Sequence, residues 1–268
     1  MSFSSLAKEE LLRLPLGKNC CVMSELSALV QTSGSLQLRG GGRVRVTFRV
    51  ESAGLARRIF RLLGAGLELT PRLHFVQHAR LGGRRSCVLT LEDEAAQKLL
   101  LSLHMMERGE DGGVTLRRTT PRHPMTRQCC RRSFLRGVFL GAGTMSDPEK
   151  DYRAEFSVGG RRLCQDLEAF LGRVLASPKV TTRRNSYLVY YKESEQIEDL
   201  LTLIGAPKCS MELMEVKMVK ELRNKVNRAT NCETANLSKT VAAGVAQVQA
   251  IQAIQAAGGL NLLEEELR

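Results

Sequence analysis

Hydrophobic and polar positions along the chain change period in a recurring order, and that order predicts the elements. Leu26, Leu29 and Val30 stand at helical spacing, and the helix is expected to stop at Gly34, where a left-handed terminal residue is easily accommodated. Residues 43–50 alternate strictly, with Val44, Val46, Phe48 and Val50 on one face and Arg43, Arg45, Thr47 and Arg49 on the other, as in a half-buried strand. Helical spacing returns over residues 53–64. Residues 73–78 and 86–91 predict a hairpin around Gly82-Gly83, and residues 93–105 a closing helix. Further along, helices are predicted near 130–142, 160–175 and 194–204, and strands near 152–158, 179–184 and 187–192.

The second series copies the first. Residues 20–36, from Cys20-Cys21 to Gly34-Ser35-Leu36, align without gaps on residues 129–145, from Cys129-Cys130 to Gly143-Thr144-Met145, an offset of 129 − 20 = 109. With slippage of a residue or more, Val46 to Val50 match Ala154 to Val158, and Leu55, Ile59, Leu63 and Gly64 match Leu163, Leu167, Leu171 and Gly172. The expected organisation is a first repeat with an N-terminal helix over 1–105, a basic linker over 106–128, a second repeat over 129–207 and a helical segment over 208–268. In that last segment a helix is expected over 211–228, with Met214, Met218 and Leu222 as core positions. A second apolar helical stretch, 234–256, ends at Gly258-Gly259, and Arg223, Asn227, Asn231 and Asn236 are expected either to contact phosphate or, the favoured alternative, to cap the junction between the two.

Charge sharpens this picture. The 268 residues hold 40 Lys and Arg against 28 Asp and Glu, a formal net charge of +12, which makes polyanions plausible partners. From Leu26 to Leu91 the chain carries arginine at 39, 43, 45, 49, 57, 58, 61, 72, 80, 84 and 85 but only Glu51 and Glu68 as acids. Between Gly112 and Ser146 it carries Arg117, Arg118, Arg122, Arg127, Arg131, Arg132 and Arg136 and no acid, with Pro121 and Pro124 predicting an extended linker. The strand of the second repeat equivalent to 43–50 offers only Arg153, Glu155 and Ser157, so the charge is lopsided.

The eight cysteines are spread through the chain without a CxxC pair, in two vicinal pairs and four single positions, which favours a reducing cytoplasm over a disulfide framework. His74, His78, His104 and His123 fall into no zinc spacing with them, so neither a structural metal nor a cofactor is expected. The first sixteen residues lack the apolar core of a signal peptide, and no stretch approaches the ~20 apolar residues that span a bilayer.

Two segments carry a resemblance, Leu26-Ser27-Ala28-Leu29-Val30-Gln31-Thr32-Ser33-Gly34 and Leu135-Arg136-Gly137-Val138-Phe139-Leu140-Gly141-Ala142-Gly143. Gly-terminated helices with small residues at Ala28, Gly137, Gly141 and Ala142, each followed by two strands, a helix, two strands and a helix, resemble the two-repeat LAGLIDADG homing endonucleases. The resemblance implies an α+β fold of tandem pseudo-symmetric repeats. The motif helices pack together between the halves, and the strands form a saddle over DNA. In active members of that family the penultimate motif position is an acid that binds the divalent metal. Here these positions are Ser33 and Ala142, so no catalytic residue and no bound metal is expected. Asp147 and Glu149 lie nearby in the second repeat, whereas the first offers no acid between Glu25 and Glu51.

A closer resemblance rests on residues 136–150 (Arg-Gly-Val-Phe-Leu-Gly-Ala-Gly-Thr-Met-Ser-Asp-Pro-Glu-Lys) and 223–237 (Arg-Asn-Lys-Val-Asn-Arg-Ala-Thr-Asn-Cys-Glu-Thr-Ala-Asn-Leu). Both resemble the WhiA family, which joins a degenerate LAGLIDADG domain to a C-terminal helix-turn-helix. That resemblance implies a non-enzymatic, transcription-associated DNA-binding protein of Gram-positive bacteria, linked to sporulation and cell division, cytoplasmic and associated with the nucleoid. The recognition helix that such a motif sends into the major groove is expected to be missing from residues 234–268. The expected partner is double-stranded DNA, with other regulatory proteins as further partners, and the chain is expected to be a monomer. The expected phosphate contacts are Arg39, Arg43, Arg45, Arg49, Arg84, Arg85, Arg117, Arg118, Lys217, Arg223 and Arg228. The competing readings are an active endonuclease and a protein-interaction scaffold.

Overall fold

The computed structural model describes residues 2–39, 42–78, 84–108, 114–116, 127–184 and 186–259. It divides into a unit of Met1–Glu215 and a unit of Val216–Arg268. The first unit opens with α1 (Phe3–Arg13), capped by the Ser2 hydroxyl, which accepts from the Ser5 amide at 3.2 Å, and anchored by Phe3, Ala7 and Leu11 at a spacing of one helical turn.

The first repeat then runs α2 (Asn19–Ser33), β1 (Gly34–Arg39), β2 (Arg43–Val50), α3 (Ala53–Leu67), β3 (Arg72–His78), β4 (Arg84–Glu92) and α4 (Asp93–Ser102). The second runs α5 (Gln128–Ala142), β7 (Gly143–Met145), β8 (Ala154–Val158), α6 (Arg161–Val174), β9 (Lys179–Arg183), β10 (Ser186–Tyr191) and α7 (Ser194–Ile204). Each repeat makes one four-stranded antiparallel sheet, in the orders β1-β2-β4-β3 and β7-β8-β10-β9. The same order in both sheets is the spatial counterpart of the 109-residue offset. A single apolar core joins the repeats, with Phe48, Ile59 and Leu89 from the first and Phe134, Phe139, Phe156 and Tyr191 from the second. Phe134 meets Phe170 edge to face at 5.4 Å, and the buried Tyr191 hydroxyl donates to the Ala176 carbonyl at 2.7 Å.

Two sequence expectations change. Gly34 does end its helix, but with φ −87° and ψ 139°, so the chain passes straight into β1 without a left-handed residue. Glycine is needed there for space, because a Cβ at position 34 would collide with the Val30 carbonyl. Gly143 repeats the geometry at φ −83°, where a Cβ would meet the Phe139 carbonyl and ring. Before the prolines of the linker, β5 (Met106–Arg108) and β6 (Val114–Leu116) pair antiparallel. Residues 117–126, and with them Arg117, Arg118, Pro121 and Pro124, lie outside the described residues.

The second change concerns the C-terminal segment. The two helices and capped junction expected over 211–256 are one continuous helix, α8 (Pro207–Ala256). No proline or glycine falls between residues 208 and 243, and asparagine inside a helix costs too little to break it. The helix yields just before Gly258, whose φ of +71° is the left-handed conformation expected of a terminating glycine. No helix among the described residues is long and apolar enough to cross a membrane.

Candidate nucleic-acid interface

The two motif helices, α2 and α5, set the frame. They pack closely because a Cβ on Gly137 would stand 2.7 Å from both the Ala28 Cβ and the Glu25 carbonyl. Their N-terminal turns meet at the cysteine pairs and their C-terminal turns at Thr32, Ser33 and Gly141, so they run parallel. Between them lies a buried ion cluster. Arg58 of α3 grips the Glu25 carboxylate through Nε and through Nη2 at 3.0 Å, and Arg136 Nη1 approaches the same carboxylate at 3.7 Å. Arg58 also donates to the Leu14 carbonyl at 2.9 Å, and Arg136 Nε to that of Ile204 at 2.9 Å.

The C-terminal tips open into a cleft of about 630 Å³ lined by Lys8, Thr32, Ser33, Arg49, Glu51 and Gly141. Ser33 Oγ is buried there with no hydrogen-bond partner, and Ala142 has no ligand atom to offer. Burial lowers the Lys8 ammonium from its ordinary range, and its Nζ lies 5.9 Å from the centre of the Phe139 ring. Asp147 is committed to its own turn, where Oδ1 accepts from the Glu149 amide at 3.1 Å. At the two motif tips a hydroxyl and a methyl stand where a hard divalent cation needs carboxylates, and Glu9 and Glu51, which line the same cleft, share it with the cations of Lys8 and Arg49.

The basic strand is as its alternation predicts. Val44, Val46, Phe48 and Val50 are buried, Arg43 and Arg49 are exposed, and Arg45 and Thr47 are half-buried. Pairing adds an acid that the strand's own sequence cannot show. Glu92 of β4 lies opposite Arg45 and accepts from it, while Arg72 reaches the same carboxylate at 3.2 Å and Arg39 at 3.8 Å. The Arg45 hydrogen bond, opposed by desolvation and helped by the charges of Arg72 and Arg39, holds Glu92 below the usual carboxylate range. Arg39 and Arg45 are thus partly neutralised within the protein, and Arg72 joins a group that residue order alone assembles without it.

Arg84 and Arg85 are consecutive residues of β4, paired with His78 and Gln77. Consecutive strand residues point to opposite faces, and Arg85 shares the alternation of Cys87, Leu89 and Leu91, the side away from Arg43, Arg45 and Arg49. There it lines a recess with Glu51, Ala53, Phe75 and Gln77. In the second sheet, Arg153 binds Glu155 at 2.7 Å and lies 4.4 Å from the centre of the Tyr190 ring. Lys179 and Arg183 alternate along exposed β9, which holds the same place in its sheet as β3. Sequence reasoning misses them, although the period-2 spacing that marks residues 43–49 is present here too.

In the unit of Val216–Arg268, Arg223 and Arg228 are exposed on α8 and Lys217 is half-buried. The core role expected for Met214, Met218 and Leu222 is not met. All three are exposed, Met218 to 67 %, because among the described residues nothing packs over this helix face.

At the other end of the motif helices, four cysteines converge. Cys20 and Cys21 open α2, Cys129 and Cys130 open α5, and their four sulfurs all lie within 4.8 Å of one another. Within the vicinal pairs the sulfurs are 4.0 Å and 3.9 Å apart. The Ser133 hydroxyl bonds Cys21 and the Ser24 hydroxyl bonds Cys130, a reciprocal exchange between positions related by the repeat. Burial pushes the Cys130 thiol up to about 12. Burial also opposes ionisation of Cys20, but hydrogen bonds from Cys130, Cys21 and Cys129 and the charge of Arg127 bring it below the ordinary thiol range. The spacings that speak against a metal are distances along the chain, whereas this cluster spans the duplication.

The matching family models and the curated relatives agree on one family. Residues 19–106 match the WhiA N-terminal LAGLIDADG-like domain, residues 131–223 the WhiA LAGLIDADG-like domain and residues 226–268 the WhiA C-terminal HTH domain. A protein of Alkaliphilus metalliredigens named "Probable cell division protein WhiA" is 37 % identical over 270 residues, covering all of this chain and 84 % of the relative. A protein of the same name from Heliobacterium modesticaldum is 38 % identical over 245 residues, covering 91 % of this chain and 76 % of its own. In fold, the chain is similar along its whole length to the crystal structure of full-length DUF199/WhiA from Thermatoga maritima, with a TM-score of 0.69 at 24 % identity and 84 % of that chain covered. The structure of the N-terminal LAGLIDADG domain of DUF199/WhiA matches 76 % of this chain and 90 % of its own at a TM-score of 0.59 and 22 % identity.

Proposed function

The chain belongs to the WhiA family, and from that premise we propose that it is a DNA-binding regulator of transcription, linked to cell division and sporulation, whose LAGLIDADG-type repeats hold duplex DNA without cutting it. The carrying observation is the outward face of β2, where Arg43, Arg45 and Arg49 stand at alternate positions over a rigid apolar core. Side chains on that spacing neutralise successive phosphates, which positions the protein on DNA without reading sequence. Arg39, Arg72, Lys179 and Arg183 extend the electrostatic footprint over both sheets, and Lys217, Arg223 and Arg228 add basic charge along α8. Arg84, Arg117 and Arg118 belong to the same proposal as further phosphate contacts, whereas Arg85, on the other side of its sheet, does not.

Cleavage is not part of the proposed activity, because Ser33 and Ala142 replace the carboxylates that would bind the activating metal. Residues 226–268 match the helix-turn-helix model, but their described part through Ala256 belongs to the single helix α8, so base-specific readout is not part of this proposal. The proposed setting is the cytoplasm at the nucleoid, and the chain acts there as a monomer. A second reading, a scaffold for other regulatory proteins, is favoured by one feature, the exposed row Met218, Leu222 and Val226 on α8.

The deciding experiment measures duplex binding by gel shift across a salt series with magnesium present. Binding with a steep negative dependence of log K on log salt and intact DNA supports the proposal. Salt-independent binding, or nicking of supercoiled plasmid, refutes it.

A further inference from the structure

From the convergence of Cys20, Cys21, Cys129 and Cys130 we infer that the first unit carries a structural zinc site of four thiolates, tying the two repeats together at the N-terminal ends of their motif helices. This reading is independent of how the protein meets DNA.

The geometry suits one shared ion. Zinc bonds thiolate sulfur at about 2.3 Å, which sets the sulfurs of a regular tetrahedron about 3.8 Å apart. The two vicinal pairs stand at 4.0 Å and 3.9 Å, and all four sulfurs fall within 4.8 Å, so small side-chain rotations close the polyhedron. An iron–sulfur cluster does not fit, because sulfide bridges would stand between its irons and hold the outer sulfurs farther apart than this.

Disulfides within the vicinal pairs account for the arrangement less well. Consecutive Cα atoms are about 3.8 Å apart, below the usual disulfide range, and helical backbone does not let neighbouring sulfurs meet. Bridges between the helices could pair all four sulfurs two by two, so an inter-helix disulfide is an outcome that overturns the inference.

The surroundings supply what a dianionic centre needs. The four sulfurs lie in the first turns of two parallel 15-residue helices, whose N-terminal dipoles favour negative charge, and the charge of Arg127 acts directly on Cys20. The Ser133 and Ser24 hydroxyls, both buried, bond Cys21 and Cys130 as outer partners that orient metal-bound sulfur. Cys129 is exposed and gives the ion a way in. On binding, four thiols release their protons to solvent and the ion gives up its waters.

The test uses the whole chain, expressed with zinc and gel-filtered under reducing, anaerobic conditions. Elemental analysis should find about one zinc per chain, and cobalt(II) replacing it should show the intense visible bands of tetrahedral tetrathiolate coordination. Cys129→Ser, at an exposed position, should lose the metal and the cobalt spectrum while circular dichroism reports an unchanged fold. Cys232→Ser, on α8, should keep both. The inference is overturned by a folded, fully reduced protein that takes up neither metal, by equal zinc in the wild type and Cys129→Ser, or by an inter-helix disulfide in the zinc-supplied protein.

Discussion

Glu25 and Arg58 form a buried ion pair, with Arg58 only 2 % exposed, in which an acid of one motif helix is held by a cation from α3 while Arg136 of the other motif helix stands by at 3.7 Å. Such a pair adds little compared with apolar side chains of the same shape, but removing one member strands the other charge away from water. Glu25→Ala should therefore destabilise the first unit by about 3–5 kcal/mol in urea melts. Replacing Glu25 by Leu and Arg58 by Met together should cost less than Glu25→Ala alone. A double variant as unstable as the single would refute the idea that the stranded Arg58 charge sets the cost.

Two glycines predict opposite outcomes for the same substitution. At Gly137 a methyl meets the Ala28 Cβ and the Glu25 carbonyl at 2.7 Å, and backbone cannot step aside cheaply. Gly137→Ala should destabilise by about 1–3 kcal/mol through overpacking. Gly64, exposed inside α3, has nothing within 4 Å of its would-be Cβ, so Gly64→Ala should stabilise by about 0.5–1 kcal/mol. Thermal melts of both variants check the contrast, and a neutral Gly137→Ala would refute close packing of α2 on α5.

These sites show what sequence carries and where it stops. The duplication, the two Gly-terminated helices and the in-out alternation of β2 are local or periodic, so residue order alone reveals them. What it does not reveal is set by partners far along the chain. Arg58 is one more basic residue until α3 folds against Glu25, 33 positions away, and Arg45 looks free until β4 brings Glu92 across from 47 positions away. The cysteines look like two unrelated vicinal pairs until parallel helices superpose their first turns. The continuous α8 escapes for a different reason, since its apolar positions promise burial that no neighbouring element among the described residues provides.

Arg43, Arg45 and Arg49 give the nucleic-acid prediction. Changing all three to alanine should weaken binding to unrelated duplexes alike, and should flatten the salt dependence by about 0.9 for each phosphate that is no longer neutralised. Fluorescence anisotropy at several salt concentrations measures both. A weakening confined to one sequence would contradict a phosphate-binding role.

Glu92 offers the sharper test, since its carboxylate draws on Arg45, Arg72 and Arg39 at once. Glu92→Gln removes that competitor, so the variant should bind duplex DNA more tightly and with a steeper salt dependence than the wild type. The acid also sets a pH signature. Its folded value is depressed, so the stability it contributes is fully present above the ordinary glutamate range and is lost only as pH falls through the lower folded value. The stability difference between wild type and Glu92→Gln should accordingly stay constant from neutral pH down to that range and shrink below it. Weaker DNA binding by Glu92→Gln would instead show that the carboxylate holds the three arginines in their working positions.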